Sequence, residues 1–435
     1  MPLKNLLIIG YVWPEPNSSA AGTRMMQLIL LFQSHQWQIT FASPAKQGEH
    51  KVDLLAFGIQ EHTIQLNSSC FDQFIQQLQP QLVIFDRFMM EEQFGWRVEQ
   101  YLPNTIRLLN TEDLHCLRAT RQTLVKNYLK TEHDQIDLEK ISLFNQELLF
   151  QQMATTDLAK REIAAIFRCD LTLMISEFEM DLLQQRFQVP PQQLCYLPFL
   201  YPKKHSQTDA CPNFQTRQHF IAIGNFRHDP NWDAVLWLKQ AIWPKIRQQL
   251  PQAELHIYGA YPPPKATQLH NDKQGFKVKG WAPDALQVIS QARVCLAPLR
   301  FGAGIKGKLA EAMLCGTPSV TTSIGAESMQ IPSDKRWGGE ISNNTESFVH
   351  AAIQLYSNPK QWQTAQHAGF NIVQSRYTQP HPSQEKLMTQ LACIIEQPEA
   401  HRQMNFIGQM LNHHHHKSTQ YMAQWIEAKN RGSKA

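Results

Sequence analysis

Short apolar runs alternate with longer amphipathic segments along most of this 435-residue chain. The run "NLLIIGYVW" (5–13) leads through a polar loop to "AAGTRMMQLILLFQSH" (20–35), whose apolar positions recur at helical spacing, and then to "WQITFAS" (37–43). The runs "QLVIFD" (81–86), "TIRLLN" (105–110) and "LTLMIS" (171–176) have the same character. Strands buried on both faces read as continuous apolar runs, whereas helices keep the 3.6-residue period. Strand, helix and strand in repeated succession predict a doubly wound parallel sheet, with ligands at the carboxyl ends of its strands.

At 201–218 the pattern breaks: "YPKKHSQTDACPNFQTRQ" is polar, proline-bearing and aperiodic, and reads as a linker. The alternation then restarts with "HFIAIGN", "AELHIYGA", "FKVKGW", "ARVCLAPL" and "PSVTTS" as strands, and with helices at about 231–249, 284–292 and 306–315. The expected architecture is therefore α/β, with two Rossmann-like doubly wound domains facing a shared cleft and helices at the C-terminus. Its divisions are an N-terminal domain at 1–205, a second domain at 206–385 and a helical segment at 386–435. Beyond about 345 the chain is Gln-rich and helical in pattern, with Trp362 and Tyr377 as anchors. The four histidines at 413–416 read as an exposed polar stretch of a terminal helix rather than a metal site.

Composition narrows the function classes. The 41 basic and 37 acidic residues nearly balance, at +4, which gives no reason to expect a nucleic-acid partner. Eight scattered cysteines without a C-x-x-C pair argue against a disulfide framework or structural zinc, and suit a reducing cytoplasm. The opening apolar run is short and is followed by Pro14, Glu15 and Pro16, so it reads as a buried strand rather than a signal segment. Nowhere is there a run of about 18 apolar residues, so membrane contact is expected to be peripheral at most.

The stretch "FGAGIKGKLAEAM" (301–313) looks like a P-loop, but Leu309 occupies the place of the Ser or Thr that would hold magnesium. Asp86, the acidic strand end that an ATPase would need, lies far ahead of the loop rather than after it. A strand, the glycines Gly302, Gly304 and Gly307, and a helix start nonetheless make an anion site of backbone N–H groups and helix dipole. Lys306 adds positive charge there, and Glu311, about a turn and a half into the helix, is placed to accept hydrogen bonds from ribose hydroxyls. The bland alternative is tight packing at the glycines and a surface Lys308–Glu311 pair.

Two further loops carry candidate chemistry. In "GNFRHDPNW", Asp229 is a candidate N-cap with Pro230 at the first helical position, so Arg227 and His228 project at a strand's carboxyl end. Arginine there suits bidentate phosphate binding. In "LLNTEDLHCLR", Asn110 or Thr111 caps a helix, Glu112 and Asp113 favour its positive end, and His115 and Arg118 follow. The loop "GYVWPEPNSSAAG" is too long for the G-x-G-x-x-G turn of a dinucleotide fold, which argues against NAD at the first strand.

The run "GNFRHDPNW", "LHIYGA", "VKGW", "CLAPLRFGAGIKGKLAEAMLCGTPSVTTSIGAE" is similar in order and spacing to the donor half of GT-B retaining glycosyltransferases, the group-1 family that uses nucleotide-sugars. "EPNSSAAGTR", "NTEDLHCLR", "REIAAIFRCDLTLMISEFE" and "CYLPF" extend the resemblance loosely into the first half. It implies that Lys306 and Arg227 bind the donor diphosphate with the amides at Gly304 and neighbouring Ile305, and that Glu311 holds the ribose. Gly280 and Trp281 would lie near the base, with Asn225 also on the donor side. Gly22 would let sugar and phosphate approach, and His115 would stand near the reacting centre. One departure is Ala303, where the family often has a glutamate that touches the donor sugar. The implied function is transfer of a sugar from a UDP- or GDP-sugar to an unidentified acceptor, retaining and metal-independent, with no cofactor beyond the donor. The alternatives are a nucleotide-sugar epimerase or hydrolase on the same fold, and a non-catalytic carbohydrate- or partner-binding protein.

Overall fold

The computed structural model describes residues 4–131, 136–203 and 211–432. Its first domain builds a seven-stranded parallel sheet from β1 (Lys4–Ile9), β2 (Trp37–Ser43), β3 (Gln60–Thr63), β4 (Leu82–Asp86), β5 (Ile106–Asn110), β6 (Leu171–Met174) and β7 (Leu194–Tyr196), in the order β3-β2-β1-β4-β5-β6-β7. The helices of this domain are α1 (Ala20–Ser34), α2 (Cys70–Leu78), α3 (Phe88–Tyr101), α4 (His115–Thr131), α5 (Gln146–Ala154), α6 (Asp157–Arg168) and α7 (Glu177–Gln185).

The second domain repeats the design with six parallel strands: β8 (Gln218–Ile223), β9 (Leu255–Tyr258), β10 (Phe276–Gly280), β11 (Ala292–Ala297), β12 (Ser319–Thr321) and β13 (Gly339–Ile341), ordered β10-β9-β8-β11-β12-β13. Around them lie α8 (Asp229–Trp237), α9 (Trp243–Gln249), α10 (Pro264–Thr267), α11 (Ala285–Gln291), α12 (Gly307–Leu314), α13 (Ser323–Ala326) and α14 (Thr345–Ser357). Four helices follow: α15 (Pro359–Arg376), α16 (Pro382–Glu396), α17 (Pro398–Gln403) and α18 (Phe406–Gly432). This is the two-domain doubly wound architecture that the alternation predicts.

Each sheet is covered on both faces. In the first, Leu7, Ile9, Val83 and Phe85 pack on one side while Leu6, Ile8, Ile84 and Leu108 pack on the other, which is why its central strands are apolar throughout. An apolar layer joins the domains, with Ile175 and Phe199 from the first against Ile305, Leu309 and Met313 from the second. Trp362 and Tyr377 are fully buried, as their anchoring role requires.

The chain then crosses back. Leu387, Leu391 and Ile394 of α16 complete the core of the first sheet, so the division drawn at 385 falls inside a helix that belongs to the first domain's packing. The division at 205 and much of the linker, at 204–210, lie outside the described residues. The tetrahistidine run falls within α18. His413 is exposed, and the side chains of the other three are outside the described set.

Candidate functional site

In a doubly wound sheet the crevice opens where strand order reverses. The reversals here fall between β1 and β4 in the first sheet and between β8 and β11 in the second. The residues after β8 (Gly224 to His228), the loop between β11 and α12, and the residues after β4 and β5 are thus the elements from which a site can be built.

On the second-domain side a polar chain runs from Asn225 to α12. Lys308 Nζ donates to Asn231 Oδ1 at 2.6 Å, and Asn231 Nδ2 donates to the Asn225 carbonyl at 3.0 Å. A Cβ on Gly224 would stand 2.7 Å from Lys308 Nζ, so the glycine makes room for the ammonium. Burial lowers Lys308 to about 8 and raises Glu311, one turn along, to about 7. The two side chains that read as a solvated surface pair are therefore half-buried, and Lys308 bonds Asn231. Sequence reasoning assigns Lys308 only the role of a surface partner of Glu311. The available signal was that Lys308 and Glu311 share one face of the same helix.

Lys306 is the N-cap of α12, and its side chain turns the other way, donating to the Gly304 carbonyl at 2.7 Å with Glu327 3.8 Å from Nζ. The same Glu327 receives a bidentate pair from the fully buried Arg121 of the first domain, at 2.9 and 2.5 Å. Lys306 thus sits in an ion network between domains. The Gly304 amide is also engaged, donating to Glu179 Oε1 at 2.8 Å, and Ile305 is buried in the interdomain layer.

Arg227 is exposed and lies over the Tyr261 ring, 3.6 Å from its centroid, while Tyr261 donates its hydroxyl to Glu15 at 2.8 Å. Trp281 stacks on His50 at 4.2 Å and donates Nε1–H to the Asn17 carbonyl. Tyr261 and Trp281 therefore meet loops of the first domain at the cleft mouth, with Arg227 lying on Tyr261. The structure brings Asn225, Lys308 and Glu311 together and sets Arg227 and Trp281 at the rim. The space beside Gly22 is taken by the protein itself, since a Cβ there would lie 2.3 Å from the Glu15 carbonyl oxygen.

On the first-domain side α4 begins at His115, later than Asn110 or Thr111 as caps would require. Asn110 ends β5, and Glu112 has φ 64°. The capping comes from far along the chain: Glu162 accepts His115 N–H and Cys116 N–H at 2.9 and 2.8 Å, and Glu179 accepts Leu114 N–H at 3.2 Å. In α8, Asp229 is the first helical residue rather than the cap, a position held by His228.

His115 lies 3.5 Å from Asp113 Oδ1, and Arg118 also pairs with Asp113. Burial holds His115 neutral, at about 4; burial acts on Asp113 too, but Arg118 and His115 keep it well below the usual carboxylate range. Behind them Asn110 Nδ2 bridges Asp86 at 3.3 Å and Glu112 at 2.8 Å. Burial, with Asp86 adding repulsion, raises Glu112 to about 8. Arg87, at φ 73°, and Glu112 are left-handed non-glycine residues, a form of strain that clusters at functional sites.

The chemistry available is a lysine, Lys308, at a helix start, bonded through Asn231 to Asn225, with the Glu311 carboxyl one turn along and His115 across the cleft. Among the described residues no three His, Cys, Asp or Glu side chains are grouped to hold a metal ion. Residues 217–358 match the family described as group 1 glycosyl transferases. The fold is similar to sucrose-phosphate synthase from Thermosynechococcus elongatus, at TM-score 0.60 and 15% identity over 90% of this chain and 99% of that one. It is similar to a glycosyltransferase from Rickettsia africae, at 0.61 and 10% identity over 91% and 100%. Anabaena HepE, solved with UDP and glucose, is a third such structure, at 0.61 and 14% identity over 89% and 99%. No curated protein matches the chain by sequence.

Proposed function

We propose that this chain, which carries a group 1 glycosyltransferase domain in a GT-B fold, moves a sugar from a nucleoside diphosphate to an acceptor held on the first domain. The observation that carries the reading is the Lys308–Asn231–Asn225 chain with Glu311, gathered at the β8/β11 switch point inside the matched domain. In this reading Lys308 and the first-turn amides of α12 take the diphosphate, with Arg227 swinging in from the rim. Glu311 accepts the ribose hydroxyls, and Trp281 flanks the base.

The reaction breaks the bond between the anomeric carbon and the diphosphate oxygen, and charge grows on that oxygen as it does so. Fixed positive groups aimed at it lower the barrier by stabilising the leaving group. Lys308 supplies that charge in place of a metal. An acceptor hydroxyl forms the new bond to the anomeric carbon from the face the diphosphate leaves, which retains configuration, and its proton passes to the departing diphosphate oxygen. The neutral His115 stands on the acceptor side, free to accept a hydrogen bond from a sugar hydroxyl. That Anabaena HepE was solved with UDP and glucose supports a UDP-sugar as the first donor to test.

The test is thermal unfolding with UDP, GDP and ADP, with and without magnesium, on the wild type, Lys308→Met and Lys306→Met. A nucleotide at about a hundred times its dissociation constant stabilises by about 2.7 kcal/mol. The expected result is metal-independent stabilisation by UDP or GDP that disappears in Lys308→Met and persists in Lys306→Met. Stabilisation by none of the three would overturn the reading.

A further inference from the structure

The long terminal helix α18 (Phe406–Gly432) lies outside the cleft, and at about 1.5 Å per residue its 27 residues span about 40 Å. Its inner side is well seated. A Cβ on Gly408 would come within 2.1 Å of the Phe167 carbonyl oxygen of α6, Asn412 and Ala423 are buried, and Gln420 bonds Gln100 of α3 at 3.2 Å. Its outer side is not covered. Phe406, Ile407, Met410, Tyr421, Met422 and Trp425 are all exposed, Phe406 to 73% and Trp425 to 60%. Positions 407 and 410 at one end and 421 and 425 at the other form two apolar patches on the same side of the helix, with the polar positions 414, 417 and 418 between them. Scattered apolar residues on a surface need no explanation, but patches of large ones do.

The charges on this helix are unequal in number. Between Met404 and Gly432 the one acidic residue is Glu427, and it faces inward, accepting both the backbone N–H and the hydroxyl of Ser69 at 3.2 and 2.6 Å. The basic residues of the same stretch are Lys417, Lys429 and Arg431, and Lys429 Nζ lies 5.3 Å over the Trp425 ring on the outer side. Two apolar patches with a Trp and a Tyr, basic residues and no outward carboxylate suit an anionic bilayer surface. Indole and phenol rings settle at the headgroup level, and each lysine or arginine near an anionic surface adds attraction. A second copy of the helix would instead bring like charges together. No described helix is long and apolar enough to cross a membrane.

We infer that the outer face of α18 is a docking surface for an anionic phospholipid bilayer, on which the helix lies flat and holds the first domain at the membrane through α3 and α6. The inference does not depend on the proposed sugar transfer. It does bear on that reading, because the domain so held is the one assigned to the acceptor.

The experiment is co-sedimentation of the full-length protein, without nucleotide or acceptor, with phosphatidylcholine vesicles and with vesicles that also contain phosphatidylglycerol, at low and high salt. Wild type is compared with a Tyr421→Ser/Trp425→Ser variant and with Lys429→Glu, each first shown to melt at the wild-type temperature. The expected result is binding to the phosphatidylglycerol vesicles that weakens at high salt, drops at least about tenfold in the double variant, and drops less in Lys429→Glu. Absence of binding by the wild type, or equal binding by all three proteins, overturns the inference. So does light scattering that shows a concentration-dependent dimer lost in the double variant, which would make the face an interface between copies.

Discussion

The Glu179 carboxyl accepts the Gly304 N–H at 2.8 Å, a hydrogen bond that ties the first domain to the loop leading into α12. Glu179 has no exposed surface, and its Oε2 has no hydrogen-bond partner. Burial, reinforced by repulsion from Asp113 and Glu327, raises its pKa to about 8. The group is therefore a neutral acid at neutral pH.

That proton has a measurable consequence. In the unfolded chain Glu179 ionises near 4.5, so its contribution to stability is fully present below that pH and is lost as pH rises through about 8. His115, whose pKa is lowered from 6.5, opposes this only near pH 6.5, where the unfolded chain still holds part of its proton. Glu179→Gln keeps an acceptor for Gly304 N–H and cannot ionise. Urea unfolding should show stability falling from pH 6.5 to 8 in the wild type. In the variant the fall should be shallower by at most about 1.4 kcal/mol per pH unit. An unchanged slope would show that Glu179 is already ionised in the folded protein.

Arg121 and Glu327 form the most deeply buried ion pair between the domains, with side-chain exposures of 0% and 3%. Arg121 also donates to the Gly302 carbonyl at 2.9 Å and stacks over Phe178. Arg121→Met should cost about 3–5 kcal/mol, because it leaves the Glu327 charge buried with only Lys306 near it. Arg121→Met/Glu327→Leu should recover a large part of that loss, since a buried pair is weakly stabilising once both charges are gone. Equal losses in the single and double variants, measured by urea unfolding, would contradict this account.

How much of this was legible follows from what each feature depends on. The central strands read directly because both their faces are covered, so every position is apolar, as in Leu82 to Phe85. The edge strand β3 escaped because its sequence, Gln60 to Thr63, is polar and mostly exposed, and β7 and β13 are three residues each. At the site, residue types and loops were visible while side-chain direction was not. Lys306 and Lys308 are two positions apart, yet one turns to Glu327 and the other to Asn231. The caps of α4 and the Arg121–Glu327 pair join residues dozens to hundreds of positions apart, which local pattern cannot disclose.

Two glycines with similar backbone angles separate strain from crowding. Gly304 has φ 62°, and a Cβ there would meet Asp113 Cβ at 2.9 Å and Ile175 Cδ1 at 3.2 Å; Gly58 has φ 74° and nothing within 4 Å. Gly58→Ala should cost only the left-handed penalty of about 1–2 kcal/mol. Gly304→Ala should cost more, because the domains must also part. If the proposed site is right, the Gly304 variant alone should lose nucleotide-dependent stabilisation. Equal destabilisation of the two variants in thermal melts would mean that the cleft opens freely.

Glu311 gives the sharpest test of the donor site. Burial raises it to about 7, and Lys308 opposes that rise, so its charge changes in the middle of the working range. Only the ionised carboxylate offers both oxygens as acceptors, which two adjacent ribose hydroxyls require. The diphosphate of a nucleotide-sugar is a diester and does not titrate between pH 6 and 8. Protonation of Glu311 should therefore weaken the affinity of the wild type for a UDP- or GDP-sugar by up to about tenfold as pH falls from 8 to 6, offset by a gain of up to about twofold as Lys308 becomes fully charged. Glu311→Gln should bind more weakly at pH 8 and show no such weakening. Calorimetric titration of both proteins at the two pH values reads the difference. If the variant retained the wild-type profile, the ribose would have to be held elsewhere and another group would have to carry the pH response, since Lys308 gains charge as pH falls and strengthens diphosphate binding.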